Sequence, residues 1–135
     1  MARPKGPLTR LGGTKTEAWF HSFIKNNLRQ ATQKWGPIHE CKKNARVSRG
    51  LYLCAVCDKH ITASVRDDVT RKRKNNAIVD HIEPIVPVTG WVSWDDCINK
   101  MFCELDNLQL VCLACHKVKC AEEAAERKIH KDNNK

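Results

Sequence analysis

The chain has 135 residues, 41% apolar and 29% charged, which is room for one domain with an arm or tail and too little apolar material for two cores. No apolar stretch approaches the roughly 20 residues that span a bilayer, and the start, MARPKGPLTRLGG, is basic without an apolar core, so neither a membrane span nor a secretory signal is expected. The net charge of +9 lies entirely in residues 1–50, which hold 11 lysines and arginines against two acids, while residues 51–120 hold nine of each; the asymmetry suits a polyanion, nucleic acid first among them.

Residues 1–15, rich in Pro, Gly, Lys and Arg, read as a flexible basic arm. A helix is predicted from Thr16 to Trp35. Thr16 can cap it, and Trp19, Phe20, Phe23, Ile24, Leu28, Ala31 and Trp35 recur at helical spacing as a core-facing stripe, with Lys25, Arg29 and Lys34 opposite. Gly36-Pro37 reads as its stop, because proline disfavours helical geometry in the residue before it. Leu51 to Leu53 is a strand candidate, as are Ile61 to Val69, Ala77 to Ile82 and Leu108 to Val111. The run Arg71, Lys72, Arg73, Lys74 between two of them reads as a basic loop. Ser93, with Asp96 three residues on, predicts a helix to Phe102, and the alanines, glutamates and lysines after Cys115 favour a final helix to about Lys128. Residues 131–135 read as a frayed tail.

Eight cysteines in a chain with no expected secretory signal favour metal over disulfides. Four form two pairs, Cys54-x-x-Cys57 and Cys112-x-x-Cys115. Together they supply the four thiolates of a tetrahedral zinc site, closed and therefore structural. The intervening 54 residues must fold as a unit to bring the pairs together. A second set, Asp80, His81, Asn107 and His116, is interleaved with the cysteines. Carboxylate and imidazole together suit a hard divalent ion with positions left for water and phosphate. Asp80 and His81 alternate along a strand and face opposite sides unless the strand ends there.

In this order and interleaving the residues resemble the HNH endonucleases of the His-Me finger (ββα-metal) group. The matching segments are Cys54 to Cys57, Val79 to Pro84 and Asp106 to Lys119; the likeness is closest to small phage-encoded HNH proteins, through Gly12 to Lys25 and Trp91 to Asp95. Cys120 stands where many members have threonine. The resemblance implies an α+β fold: a ββα-metal core with a four-cysteine structural zinc site, flanked by an N-terminal amphipathic helix and a C-terminal helix. It divides the chain into the arm 1–15, a helical basic DNA-binding extension 16–50, a zinc-stabilised nuclease domain 51–130 and the tail 131–135.

It also implies roles. His81 would be the general base and Asn107 would orient it by hydrogen bonds to the same segment. Asp80 and His116 would hold the catalytic ion, Mg²⁺ or Mn²⁺, with Ni²⁺ as a substitute, and Cys54, Cys57, Cys112 and Cys115 would hold Zn²⁺. Lys117, Lys119, Arg71, Lys72, Arg73 and Lys74 are expected on DNA phosphates. The implied activity is metal-dependent hydrolysis of double-stranded DNA to 5′-phosphate and 3′-hydroxyl ends, by a monomer that nicks or a homodimer that cuts both strands, in a host cytoplasm. The competing reading is a zinc-binding regulator that binds DNA without cutting it; it leaves Asp80, His81, Asn107 and His116 unexplained.

Overall fold

The computed structural model describes residues 6–133, and the chain divides into two compact units between Gln33 and Lys34. In the first unit β1 (Leu8–Arg10) pairs antiparallel with β2 (Lys15–Thr16). The expected arm therefore holds a hairpin; its residues 1–5 lie outside the described residues. The turn runs through Leu11, Gly12 and Gly13, all at positive φ, a conformation glycine adopts without a Cβ clash. Thr16 then caps α1 (Glu17–Ala31), its Oγ1 accepting from the Trp19 N–H at 3.1 Å.

The aromatic stripe of α1 does not enter a core, and no residue of the helix is fully buried. Trp19 stacks on Phe23 at 5.3 Å, the Arg10 guanidinium lies 4.0 Å over the Phe20 ring, and the Lys15 ammonium lies 5.2 Å over Trp19. Cations from the hairpin thus cover ring faces that a core would otherwise cover.

The second unit opens with α2 (Gly36–Ala45). Pro37 starts this helix instead of ending the previous one, because the N–H it lacks is unpaired in a first turn anyway. Trp35, expected on the stripe of α1, belongs here: its Nε1–H donates to the Cys103 carbonyl at 2.7 Å and its ring meets Phe102 edge-on at 5.7 Å. Residues 34–50 accordingly fold with the second unit, not with the extension expected for them.

Three short strands follow as an antiparallel sheet, β3 (Arg46–Ser48), β4 (Leu51–Leu53) and β5 (His60–Thr62). The strand expected over 61–69 is broken at Ala63, and β6 (Ser64–Arg66) pairs instead with β7 (Arg73–Asn75) as a separate ribbon. Next, β8 (Ile78–His81) pairs antiparallel with β9 (Leu108–Val111), setting Asp80 opposite Gln109 and His81 opposite Leu108. Between these strands lies α3 (Trp94–Met101), capped by the Ser93 hydroxyl, which accepts from the Asp96 N–H at 3.1 Å.

Finally α4 (Leu113–Asn133) leaves β9 through a single residue. Two of its unpaired first-turn N–H groups find acceptors. Leu113 donates to Asn76 Oδ1 at 2.9 Å and Cys115 to Cys112 Sγ at 3.5 Å. The helix continues to Asn133, so residues 131–133 of the expected tail are helical, and 134–135 lie outside the described residues.

The fold is thus mixed α and β. Cys54, Val111 and Cys112 form the buried centre of one cluster, with Cys57, Ile61, Ile78 and Cys115 packed round it. Among the described residues no helix is long and apolar enough to cross a membrane.

Candidate functional site

The sulfurs of Cys54, Cys57, Cys112 and Cys115 all lie within 4.8 Å of one another. The first pair follows β4, where the chain turns back: Asp58 N–H bonds to the Cys54 carbonyl at 2.9 Å, with Asp58 at positive φ. The second pair spans the junction of β9 and α4. The Ala55 N–H donates to the Leu110 carbonyl at 2.8 Å and locks the two knuckles together.

A zinc ion with sulfurs at about 2.3 Å forms a tetrahedron with edges of about 3.8 Å, so this cage fits one ion with side-chain adjustment of about an ångström. Its electrostatics favour a thiolate at Cys54. Burial pushes the Cys54 thiol up, but the N–H groups of Cys57, Cys112 and Val56 point at its sulfur and hold it down to about 6. Cys115, hydrogen-bonded to the Cys112 sulfur and partly buried beside Cys54 and Cys57, is pushed up to about 12. Four sulfurs this close cannot all ionise without a cation among them. The cluster could hold a metal ion such as zinc.

Next to Cys115 in α4 comes His116, whose Nε2 stands 3.7 Å from Asp80 Oδ1. Two donors about 2.1 Å from a shared ion can stand up to about 4.2 Å apart, so this pair fits a hard divalent cation. The other carboxylate oxygen is occupied: Asp80 Oδ2 accepts from Gln109 Nε2 at 3.1 Å and from Lys119 Nζ at 2.6 Å. Lys119 also donates to the His81 carbonyl and pairs with Glu123 Oε1 at 3.2 Å. Burial works against its charge, yet the hydrogen bonds and charges of Asp80 and Glu123 outweigh it and hold the ammonium above its ordinary value. All three of its protons are used, so Lys119 is not free for the DNA phosphate expected of it.

His81 ends β8, and its side chain goes the other way from that of Asp80. Its Nε2 lies 3.0 Å from the Met101 carbonyl at the end of α3. A carbonyl only accepts, so a neutral His81 carries its proton on Nε2 and leaves Nδ1 with a lone pair. Asn107 binds the segment just after His81. Its carbonyl accepts from Ile82 N–H at 2.8 Å, its Oδ1 from Glu83 N–H at 2.9 Å, and its Nδ2 donates to the Glu83 carbonyl at 3.4 Å. Asp80 and His116 thus face each other between β8 and α4, whereas His81 turns toward the end of α3 and Asn107 holds the backbone that follows it.

Arg71, Lys72, Arg73 and Lys74 are exposed on the ribbon of β6 and β7, and Lys117 is exposed on α4. A hollow of about 420 Å³ beside Lys119 is lined by Glu83, Glu122, Glu123 and Glu126, carboxylates that repel a phosphate backbone. Sequence reasoning missed Gln109, Asn76 and the Met101 carbonyl. The first sits opposite Asp80 in β9, a relation that strand pairing could have shown. The Met101 contact depends on where α3 packs, for which no local signal exists. Cys120 Sγ lies 3.7 Å from His116 Nε2, one turn further along α4.

No family model, curated protein or solved structure matches the chain.

Proposed function

We propose that the chain is a metal-dependent HNH DNA endonuclease, its ββα-metal core built from β8, β9 and α4 and stiffened by a structural Zn²⁺ on Cys54, Cys57, Cys112 and Cys115. The observation that carries this reading is the Asp80–His116 pair beside the cysteine cage, with His81 next to Asp80 in the chain and Asn107 bonded to the segment after it. Asp80 and His116 offer an oxygen and a nitrogen to one ion. His81 offers a lone pair on Nδ1, because Met101 engages Nε2. Asn107 holds the backbone that follows.

In this reading His81 Nδ1 takes a proton from water, and the Met101 carbonyl stabilises the imidazolium through Nε2–H. Histidine commonly serves as the general base in such a step. Asn107 fixes the ring's carrier so that Nδ1 does not wander. Lys119 and Gln109 hold Asp80 Oδ2 and leave Oδ1 to the ion. A bound Mg²⁺ or Mn²⁺ would polarise the scissile phosphate and stabilise the leaving oxygen, a contribution of several kcal/mol. The products would carry 5′-phosphate and 3′-hydroxyl ends.

The basic excess of residues 1–50 supports DNA as the substrate. Incubating the protein with supercoiled plasmid and Mg²⁺ or Mn²⁺ tests the proposal. Relaxed or linear product is expected, whereas plasmid that is bound but intact would favour the zinc-binding regulator.

A further inference from the structure

The ribbon of β6 and β7 has no role in the chemistry above, yet it carries a dense run of cations. Residues 64–75 carry five cations (Arg66, Arg71, Lys72, Arg73, Lys74) against Asp67 and Asp68, a local excess hidden by the even balance of residues 51–120. The register sets Arg66 directly opposite Arg73. Like charges so paired destabilise an isolated ribbon, and a polyanion relieves that repulsion.

The tip is nonetheless built, not loose. Asp67 Oδ1 accepts from the N–H groups of Val69 at 2.8 Å and Thr70 at 2.9 Å, and its Oδ2 pairs with Lys74 at 3.0 Å. Backbone bonds from Asp67 N–H to the Lys72 carbonyl and from Arg71 N–H to the Asp67 carbonyl, both 2.8 Å, close the turn. At its apex Val69 is 92% exposed, the most exposed large apolar side chain described. The side chains of Arg71 and Lys72 make no hydrogen bond or ion pair among the described residues. At the other end Asn76 clamps the ribbon to the first residue of α4 and to the Thr62 carbonyl at 3.1 Å. The ribbon is therefore a preformed basic prong, rigidly tied to the helix that carries His116.

We propose that this prong enters the major groove of duplex DNA with Val69 leading. The inference rests on DNA being the substrate and adds how the duplex is held. The major groove, about 12 Å wide, admits a two-stranded ribbon, whereas the minor groove at about 6 Å does not. Arg71 and Lys72 then meet the flanking phosphates, and Val69 meets apolar base edges such as the thymine methyl.

The test is fluorescence anisotropy of a short labelled duplex over a salt series, without added divalent metal. Three full-length chains are compared: the wild type, the double variant Arg71→Asn with Lys72→Gln, and Val69→Glu. Asparagine tolerates the positive φ at position 71, and Val69 is so exposed that its replacement disturbs no packing. The double variant should lower the salt slope by about 1.8, or about 0.9 per lost phosphate contact. Val69→Glu should weaken binding at least about tenfold, because it carries a negative charge into the groove. Methyl green, which fills the major groove, should displace the wild type, and netropsin, which fills the minor groove, should not. Wild-type binding with both variants unchanged, or displacement by netropsin alone, overturns the prong. A wild type that does not bind duplex at all overturns the DNA reading with it.

Discussion

Lys119 holds Asp80 from behind: its ammonium lies 2.6 Å from Oδ2, the oxygen turned away from His116, and it also grips the backbone carbonyl of His81. One lysine thus ties together the proposed ligand of the ion and the proposed base. Partners in this outer position typically contribute 10–100-fold to metal affinity or activity. Lys119→Ala should therefore lower Mn²⁺ affinity and cleavage by about that range, with zinc content unchanged and partial recovery in Lys119→Arg. The salt slope of DNA binding separates this role from a phosphate contact. It should stay at the wild-type value in Lys119→Ala and fall by about 0.9 in Lys117→Ala, whose side chain is exposed.

The cysteine cage should carry one zinc per chain. In zinc-finger peptides such binding is worth roughly 10–16 kcal/mol, and it acts directly as folding free energy. Cys57→Ser should lose the metal and lower the melting temperature of the second unit sharply; chelation of the wild type should do the same. Elemental analysis beside thermal denaturation checks both. Protein purified without chelator and free of zinc would count against a structural ion.

Asn76 is 8% exposed and serves three segments, the ribbon, β5 and α4. Asn76→Ala strands the Leu113 N–H and the Thr62 carbonyl, and leaving such groups unpaired costs about 1–3 kcal/mol each when buried. Denaturant unfolding should show a loss in that range, and amide exchange should quicken at Leu113 first.

Much of the site was legible because its residues are close in sequence to strong local signals. The paired cysteines, the Asp80-His81 step at the end of an apolar strand and His116 after Cys115 needed no tertiary knowledge. The rest depended on packing or on competition between local rules. Pro37 follows an apolar helical run, and the same residue can end one helix or begin another; the contact of Trp35 with Phe102 and Cys103, far away in the chain, decides it. The aromatic stripe of α1 has the spacing of a core face, and only the hairpin before it shows that cations cover its rings. Lys119 looks like any surface lysine until Asp80 and Glu123 surround it.

Asp67 offers a prediction in pH. The N–H of Thr70, the ammonium of Lys74 and the N–H of Val69 hold its carboxyl far below the ordinary value of 3.8. A carboxyl depressed in the folded state stabilises that state above its unfolded pKa, and the stabilisation is lost as pH falls through the folded value. The ribbon turn should therefore stay intact across neutral pH and begin to loosen only below about pH 4. Carbon-detected NMR of the Asp67 carboxyl should give a midpoint well under the ordinary value; a midpoint close to 3.8 would mean that the turn is not pinned in solution.

The central claim is that His81 takes the proton from the attacking water, and plasmid cleavage by His81→Ala in Mg²⁺ or Mn²⁺ tests it most directly. His81 lies outside the cysteine cage, so zinc content and duplex affinity should match the wild type. Loss of a general base should slow cleavage by about 10²–10⁴-fold. A variant that keeps its zinc, binds duplex and still cuts plasmid at the wild-type rate would contradict the assignment.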